Sequence, residues 1–206
     1  PAKMAQKIPI GKIMGFFRDK VLLLIAFFLF FQSSFEGLMN NWTTTYLTDH
    51  LSISRDKALY GLSLLVAGMV IMRLLTGTIL KYIPVKRILI ASFFFILSGL
   101  ICIASGISTI VALTGFILVG VGLAGGFPIM LGLVGVRYQN MSGTAFSFVL
   151  TIALLGNMLI NYGMGIISEK FGISNLIIVM FAEMIFMAIL GLAIIKKANY
   201  VSKTVA

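Results

Sequence analysis

Six long apolar runs make up most of the chain, at 21–47, 58–80, 88–106, 109–136, 143–167 and 174–195. Each is long enough for a helix to cross the hydrocarbon layer of a bilayer, which takes about 20 mostly apolar residues. Short polar breaks separate them: Thr48-Asp49-His50 to Asp56-Lys57, Lys81 to Arg87 around Pro84, Gly106-Ile107-Ser108, Arg137 to Asn140, and Glu169 to Gly172. The runs predict helices, because barrel strands show alternating segments of about 10 residues instead. The expected fold is an all-α membrane protein: a basic linker over 1–20, a six-helix transmembrane bundle over 21–195 and a tail over 196–206. The first run is longer than the apolar stretch of a signal peptide and lacks a small-residue cleavage site.

Composition agrees. The chain is 60% hydrophobic and 11% charged, against about 45–50% and about 25% for soluble domains. That excludes a water-soluble enzyme and disordered or disulfide-stapled classes. Cys102 is the lone cysteine, so no intrachain disulfide and no cysteine metal site can form. The net charge of +10 would suit nucleic acid only on a solvated face, and here the basic residues sit in loops. Twelve of the 16 Lys and Arg residues fall in the N-terminal segment, the second and fourth loops and the tail; three fall on the opposite side and Arg73 lies within span two. Positive charge marks the cytoplasmic side, so both termini are expected there, in a cell membrane of bacterial inner-membrane type. Residues 1–20 interleave lysines with Ile8, Ile10, Ile13, Met14, Phe16 and Phe17. They read as a juxtamembrane linker on anionic headgroups or as a partner-binding helix. Pro1 in place of Met leads to the expectation of a chain cut from something longer.

Polar residues inside the spans carry the functional signal, because an ionisable group there costs about 2.5–3.5 kcal/mol on insertion scales. Gln32, Glu36 and Asn40 recur every four residues and share one face of the first helix. Such a stripe faces a water-filled cavity or partner helices. Glu36 is therefore a candidate for binding a substrate hydroxyl or cation, or for carrying a proton, with Gln32 and Asn40 beside it; the plainer alternative is an acid that pins neighbouring helices. Trp42 suits either the interfacial aromatic belt or a surface on which a sugar ring stacks. Asn157 and Asn161 share a face and either reach a cavity or cross-link helices. Glu183 has no polar stripe around it and reads as a structural bond or a protonated acid. Arg73, near the cytoplasmic end of span two, is expected to snorkel to the interface or bond helix-end carbonyls. In span four Gly122 and Gly126 stand at a close-packing spacing and Pro128 favours a kink; the segment either bends during a cycle or simply packs tightly. No constellation for catalysis, a metal or a cofactor is evident, since His50 is the lone histidine.

Six spans with both ends inside resemble the C-terminal half of a major facilitator superfamily transporter. Gly77 to Leu89 (Gly-Thr-Ile-Leu-Lys-Tyr-Ile-Pro-Val-Lys-Arg-Ile-Leu) is similar to that superfamily's cytoplasmic loop motif, with Lys81 in place of the aspartate and Pro84 in place of a glycine. Gly77, Lys86 and Arg87 carry this likeness together with Arg73, and Ser142-Gly143-Thr144-Ala145 resembles the start of the fifth span of such a half. Within the superfamily, Glu36 with Trp42 six positions on and Tyr46-Leu47 resembles the seventh helix of the fucose/glucose–proton symporter group. Arg73-Leu-Leu-Thr-Gly77 with Pro84 and Lys86 resembles its helix-eight-to-nine turn, and Phe127-Pro128 its tenth helix. Met72 and Asn161-Tyr162 depart from its pattern.

The resemblance implies alternating access, with two six-helix halves rocking about a midplane site. The implied partners are an N-terminal six-helix half, a small-molecule substrate, protons and membrane lipid. The implied function is proton-coupled transport of a small polar solute, a sugar. Two alternatives stay open: efflux of an amphipathic compound, and a six-span scaffold subunit without transport.

Overall fold

The computed structural model describes residues 15–80 and 82–204. Most of the expected basic linker, together with Lys81 of the loop motif, lies outside the described residues. The chain is helical almost throughout, and no strand occurs among the described residues. Its helices are α1 (Lys20–Thr45), α2 (Arg55–Ile79), α3 (Val85–Ala104), α4 (Thr109–Leu123), α5 (Gly126–Arg137), α6 (Ser142–Phe171) and α7 (Leu176–Thr204). A π turn, Tyr46–His50, extends α1. Among the described residues these give six helices long and apolar enough to cross a membrane, with α4 and α5 forming one of them.

α1 is the hub. It lies mainly along α6 and also touches α7, α2 and α5, while α4 is held between α3 and α2. That position follows from its composition. Gln32, Ser33, Ser34 and Thr43 are all buried in α1, and polar groups in a spanning helix must find partners among other helices rather than lipid. The outer helices instead turn large apolar residues outward, among them Leu74, Ile110, Leu154 and Tyr162.

Span four breaks where its proline dictates. A proline ring clashes with the carbonyl four residues earlier, which for Pro128 is that of Ala124. α4 ends at Leu123, Ala124 and Gly125 form the turn, and α5 restarts at Gly126. Pro128 is then the third residue of α5, a position whose N–H has no partner within the helix anyway. Upstream, small residues let α4 press against both neighbours. A Cβ on Gly120 would lie 2.1 Å from the Leu65 carbonyl oxygen on α2, and one on Gly115 would lie 2.7 Å from the Gly99 carbonyl oxygen on α3.

One end of the bundle is closed by a cluster that the hydropathy pattern does not reveal. Asp19 caps α1 by accepting from the backbone N–H groups of Val21 at 2.8 Å and Leu22 at 3.3 Å. Its second oxygen accepts from Arg137 Nε at 3.0 Å and Nη2 at 2.9 Å, and from the Tyr138 hydroxyl. Phe16, 4% exposed, packs edge-on to Tyr138 and against Phe148. The start of α1 is thereby fastened to the end of α5. Burial alone would raise the Asp19 carboxyl, but the hydrogen bonds from Tyr138, Arg137 and the two backbone amides outweigh it and hold it below its ordinary value. Burial and the bond to Asp19 push the Tyr138 phenol up to about 12.

Two outcomes are expected. Gly120→Ala drives a methyl into the Leu65 carbonyl and lowers the thermal unfolding temperature, at a cost of about 1–3 kcal/mol; Gly132→Ala, which meets nothing within 4 Å, does not. For the capping cluster, a carboxyl held low stabilises the fold above its ordinary value of 3.8 and loses that contribution as pH falls through the lowered one. The stability gap between wild type and Asp19→Asn is therefore constant near neutrality and shrinks in acid, read by thermal unfolding in detergent across pH.

Candidate functional site

The stripe of α1 does not face one environment. Glu36 meets Arg73 of α2, whose Nη2 donates to its Oε1 at 2.8 Å. This differs from the snorkelling expected for Arg73. Side chains lean toward the N-terminal end of their own helix, so Arg73 leans along α2 away from the loop that follows it, and the direction of lean brings it to Glu36. Both groups are partly exposed: the Arg73 side chain is 38% exposed and that of Glu36 17%.

The pair lies in a cleft of about 410 Å³, open on one side, whose other walls are Phe127, Pro128 and Leu131 of α5. Only one carboxylate oxygen is engaged. Oε1 accepts from Arg73 and, at 3.3 Å, from Gln32 Nε2, while Oε2 accepts from nothing among the described residues. The guanidinium likewise spends one of its nitrogens on Glu36 and has donors to spare. The cleft thus presents free donors and a free acceptor side by side, next to an apolar wall.

The other stripe members go elsewhere. Gln32 is fully buried and reaches the Leu123 carbonyl at 2.9 Å, one of the carbonyls that the end of α4 leaves without a helical donor. Asn40 is exposed and folds back, its Nδ2 donating to the Glu36 carbonyl at 2.9 Å. Neither lines the cleft.

One residue further round α1, a second polar row faces α6. Asn157 Nδ2 donates to the Ser33 carbonyl at 3.1 Å, and Asn161 Nδ2 donates to Asn157 Oδ1 at 3.0 Å. Asn161 Oδ1 in turn accepts from Asn41 Nδ2 at 3.0 Å and from Trp42 Nε1 at 3.2 Å. The row needs Gly37, whose Cβ would fall 2.5 Å from Asn157 Oδ1. Of the two readings open for Asn157 and Asn161, the geometry is that of cross-linking, and Trp42 shares in it. Glu183, 2% exposed, is bonded to the Ser34 hydroxyl and so ties α7 to α1.

The conformational residues also separate. Gly77 lies on exposed helix, where a Cβ would meet nothing within 4 Å, and Lys86 and Arg87 are exposed in the first turn of α3. Gly122 lets α4 approach α3, a Cβ there lying 2.6 Å from Ile96 Cγ1, whereas Gly126 makes room for the Gln32 amide. Their shared spacing thus serves two different contacts. Sequence reasoning missed Asn41, Ser33 and the Asp19–Tyr138 bond. Their signal, a second polar row offset by one residue and a capping Asp ahead of the first run, is present in the chain but does not name its partners.

Residues 1–160 match the family model described as Major Facilitator Superfamily. No curated protein matches the chain. A match over that much of the chain, together with six spanning helices and no strand among the described residues, makes this a multi-pass membrane protein whose work is membrane transport: the chain belongs to the Major Facilitator Superfamily.

Proposed function

We propose that the chain moves a small neutral polyol, a sugar, by proton-coupled alternating access, and that the Glu36–Arg73 pair is where the solute binds. The observation that carries this reading is the unspent hydrogen-bonding capacity of that pair at an apolar wall. A sugar offers hydroxyls that donate and accept within a few ångströms of each other. One can donate to Glu36 Oε2 while a neighbour accepts from the Arg73 guanidinium, and the C–H face of the ring then rests on Phe127 and Pro128. A cleft of about 410 Å³ falls in the range of roughly 300–1,000 Å³ usual for small-molecule sites.

Charge supports the same choice. The pair is neutral overall, so a neutral solute leaves the balance intact, whereas an anion or cation brings an uncompensated charge to the site. A proton arriving at Glu36 cancels the carboxylate and frees Arg73, which gives proton binding a direct effect on the solute contacts.

The open side of the cleft and the exposed apolar faces of α2 and α6 suit an N-terminal six-helix half packed against this one. The excess of Lys and Arg on one side supports cytoplasmic termini and a bacterial inner membrane. The loop residues Gly77, Lys86 and Arg87 then face the cytoplasm, where a conformational loop contacts the other half.

Uptake of radiolabelled monosaccharides by proteoliposomes, with an imposed inward proton gradient, tests the proposal. Glu36→Gln is expected to lower uptake at least about tenfold, equivalent to about 1.4 kcal/mol of lost binding or coupling, and to flatten its dependence on the gradient. Undiminished, gradient-sensitive uptake in Glu36→Gln would remove Glu36 from the site, and transport confined to amphipathic compounds would replace the sugar reading with efflux.

A further inference from the structure

Gln32 is 0% exposed and absent from the cleft lining, yet it touches the cleft's carboxylate. Its amide nitrogen has two hydrogens and meets two acceptors, the Leu123 carbonyl at 2.9 Å and Glu36 Oε1 at 3.3 Å. Turning the amide over would set its oxygen against both acceptors, so the orientation is determined. Held that way, Gln32 Oε1 finds no donor and lies against Gly126, where a Cβ would come within 2.0 Å of it. Leu123 and Gly126 are the two flanks of the break in span four. One buried side chain therefore rests on both flanks of that break and on the carboxylate of the cleft.

We propose that Gln32 is a positioning residue that ties the state of the Glu36 carboxylate to the angle between α4 and α5. The proposal rests on Glu36 being the solute-binding group. When a solute hydroxyl bonded to Glu36 Oε2 turns the carboxylate and so draws Oε1 away, Gln32 loses one of its two acceptors and its amide turns about the remaining bond to Leu123. The amide oxygen then moves across Gly126, the first residue of α5. That helix carries Phe127, Pro128 and Leu131, the apolar wall of the same cleft, so the movement alters the wall against which the solute sits. Glycine at 126, the long 3.4 Å bond from Ala124 N–H to the Val121 carbonyl, and the N–H that Pro128 cannot offer to the Ala124 carbonyl make this the point in span four that yields at least cost.

The bend can be measured without any solute. Spin labels at Ile110→Cys and Val136→Cys, sites 75% and 73% exposed, bracket the break; the background carries Cys102→Ser and the full-length protein is reconstituted in lipid nanodiscs. Double electron–electron resonance then reads the distance between the arms. Glu36→Ala, which removes the acceptor, is expected to shift the mean distance by about 2 Å, the scale of helix shifts in switching proteins. Gln32→Met, similar in shape but without donors, shifts it as well. The double variant should match Gln32→Met alone, because Glu36 then has nothing to act through. Gln32→Leu, a second variant without the two donors, should behave like Gln32→Met and keeps the test open if either one fails to fold.

Additive shifts in the double variant, or a Glu36→Ala distribution identical to wild type, would overturn the proposal and leave the sugar reading standing. Absence of monosaccharide uptake would do the reverse. In transport, Gln32→Met should lower the maximal rate by about fivefold or more while the half-saturating monosaccharide concentration changes less than about twofold. A change confined to half-saturation would make Gln32 a solute contact and end its positioning role.

Discussion

Two opposite charges facing each other between α1 and α2 set the terms for the rest of the bundle. Alone in a spanning segment, Glu36 or Arg73 would cost about 2.5–3.5 kcal/mol to insert; at 2.8 Å apart each supplies the other's counter-charge. The pairing links one face of α1 to one face of α2. It also gathers free polar capacity at one place on an otherwise apolar surface. The cleft lies beside the pair, and Phe127, Pro128 and Leu131 of α5 supply its wall.

Other polar residues of α1 and its cap are spent on assembly, while Asn40 and Thr43 bond within their own helix. Ser33, Asn41 and Trp42 hold α6, Ser34 holds α7, Gln32 holds the break between α4 and α5, and Asp19 holds the end of α5. In lipid these bonds take over part of the role that the hydrophobic effect plays in water, since apolar side chains gain little by leaving lipid for protein. Close approach at Gly99, Gly115 and Gly120 supplies the dispersion energy that completes the packing. Glycines bring α2, α3 and α4 together, while α1 meets its neighbours through both polar bonds and close approach at Gly37 and Gly156.

How much of this was legible in the chain varies with the kind of information needed. Six spans could be read because a helix needs a long apolar run and nothing tertiary can substitute for it. The break was legible in part, because Pro128 fixes where a helix must yield, but whether Gly122 and Gly126 made one contact or two depended on which helices lay beside them. Glu36 stood out as costly. Its partner did not, because the position of Arg73 along α2 says nothing about what α2 faces, and proximity to a loop favoured snorkelling. The same limit applies to Asn157 and Asn161. Their shared face was evident, but only the neighbouring row on α1 separates a cavity lining from a cross-link. Gln32 shows the limit most plainly, since equal spacing put it in the stripe with Glu36 while burial set it beneath the cleft.

Solute protection of the cleft wall decides whether a solute sits between the Glu36–Arg73 pair and α5. In a Cys102→Ser background, Leu131→Cys places one thiol on the wall facing the Glu36–Arg73 pair. Its rate of reaction with a membrane-impermeant thiol reagent is measured with and without a saturating monosaccharide that the protein transports. The expected result is reaction in the free protein and marked slowing when the sugar is present. Equal rates with every transported solute, or no reaction at all, would contradict a solute site in this cleft.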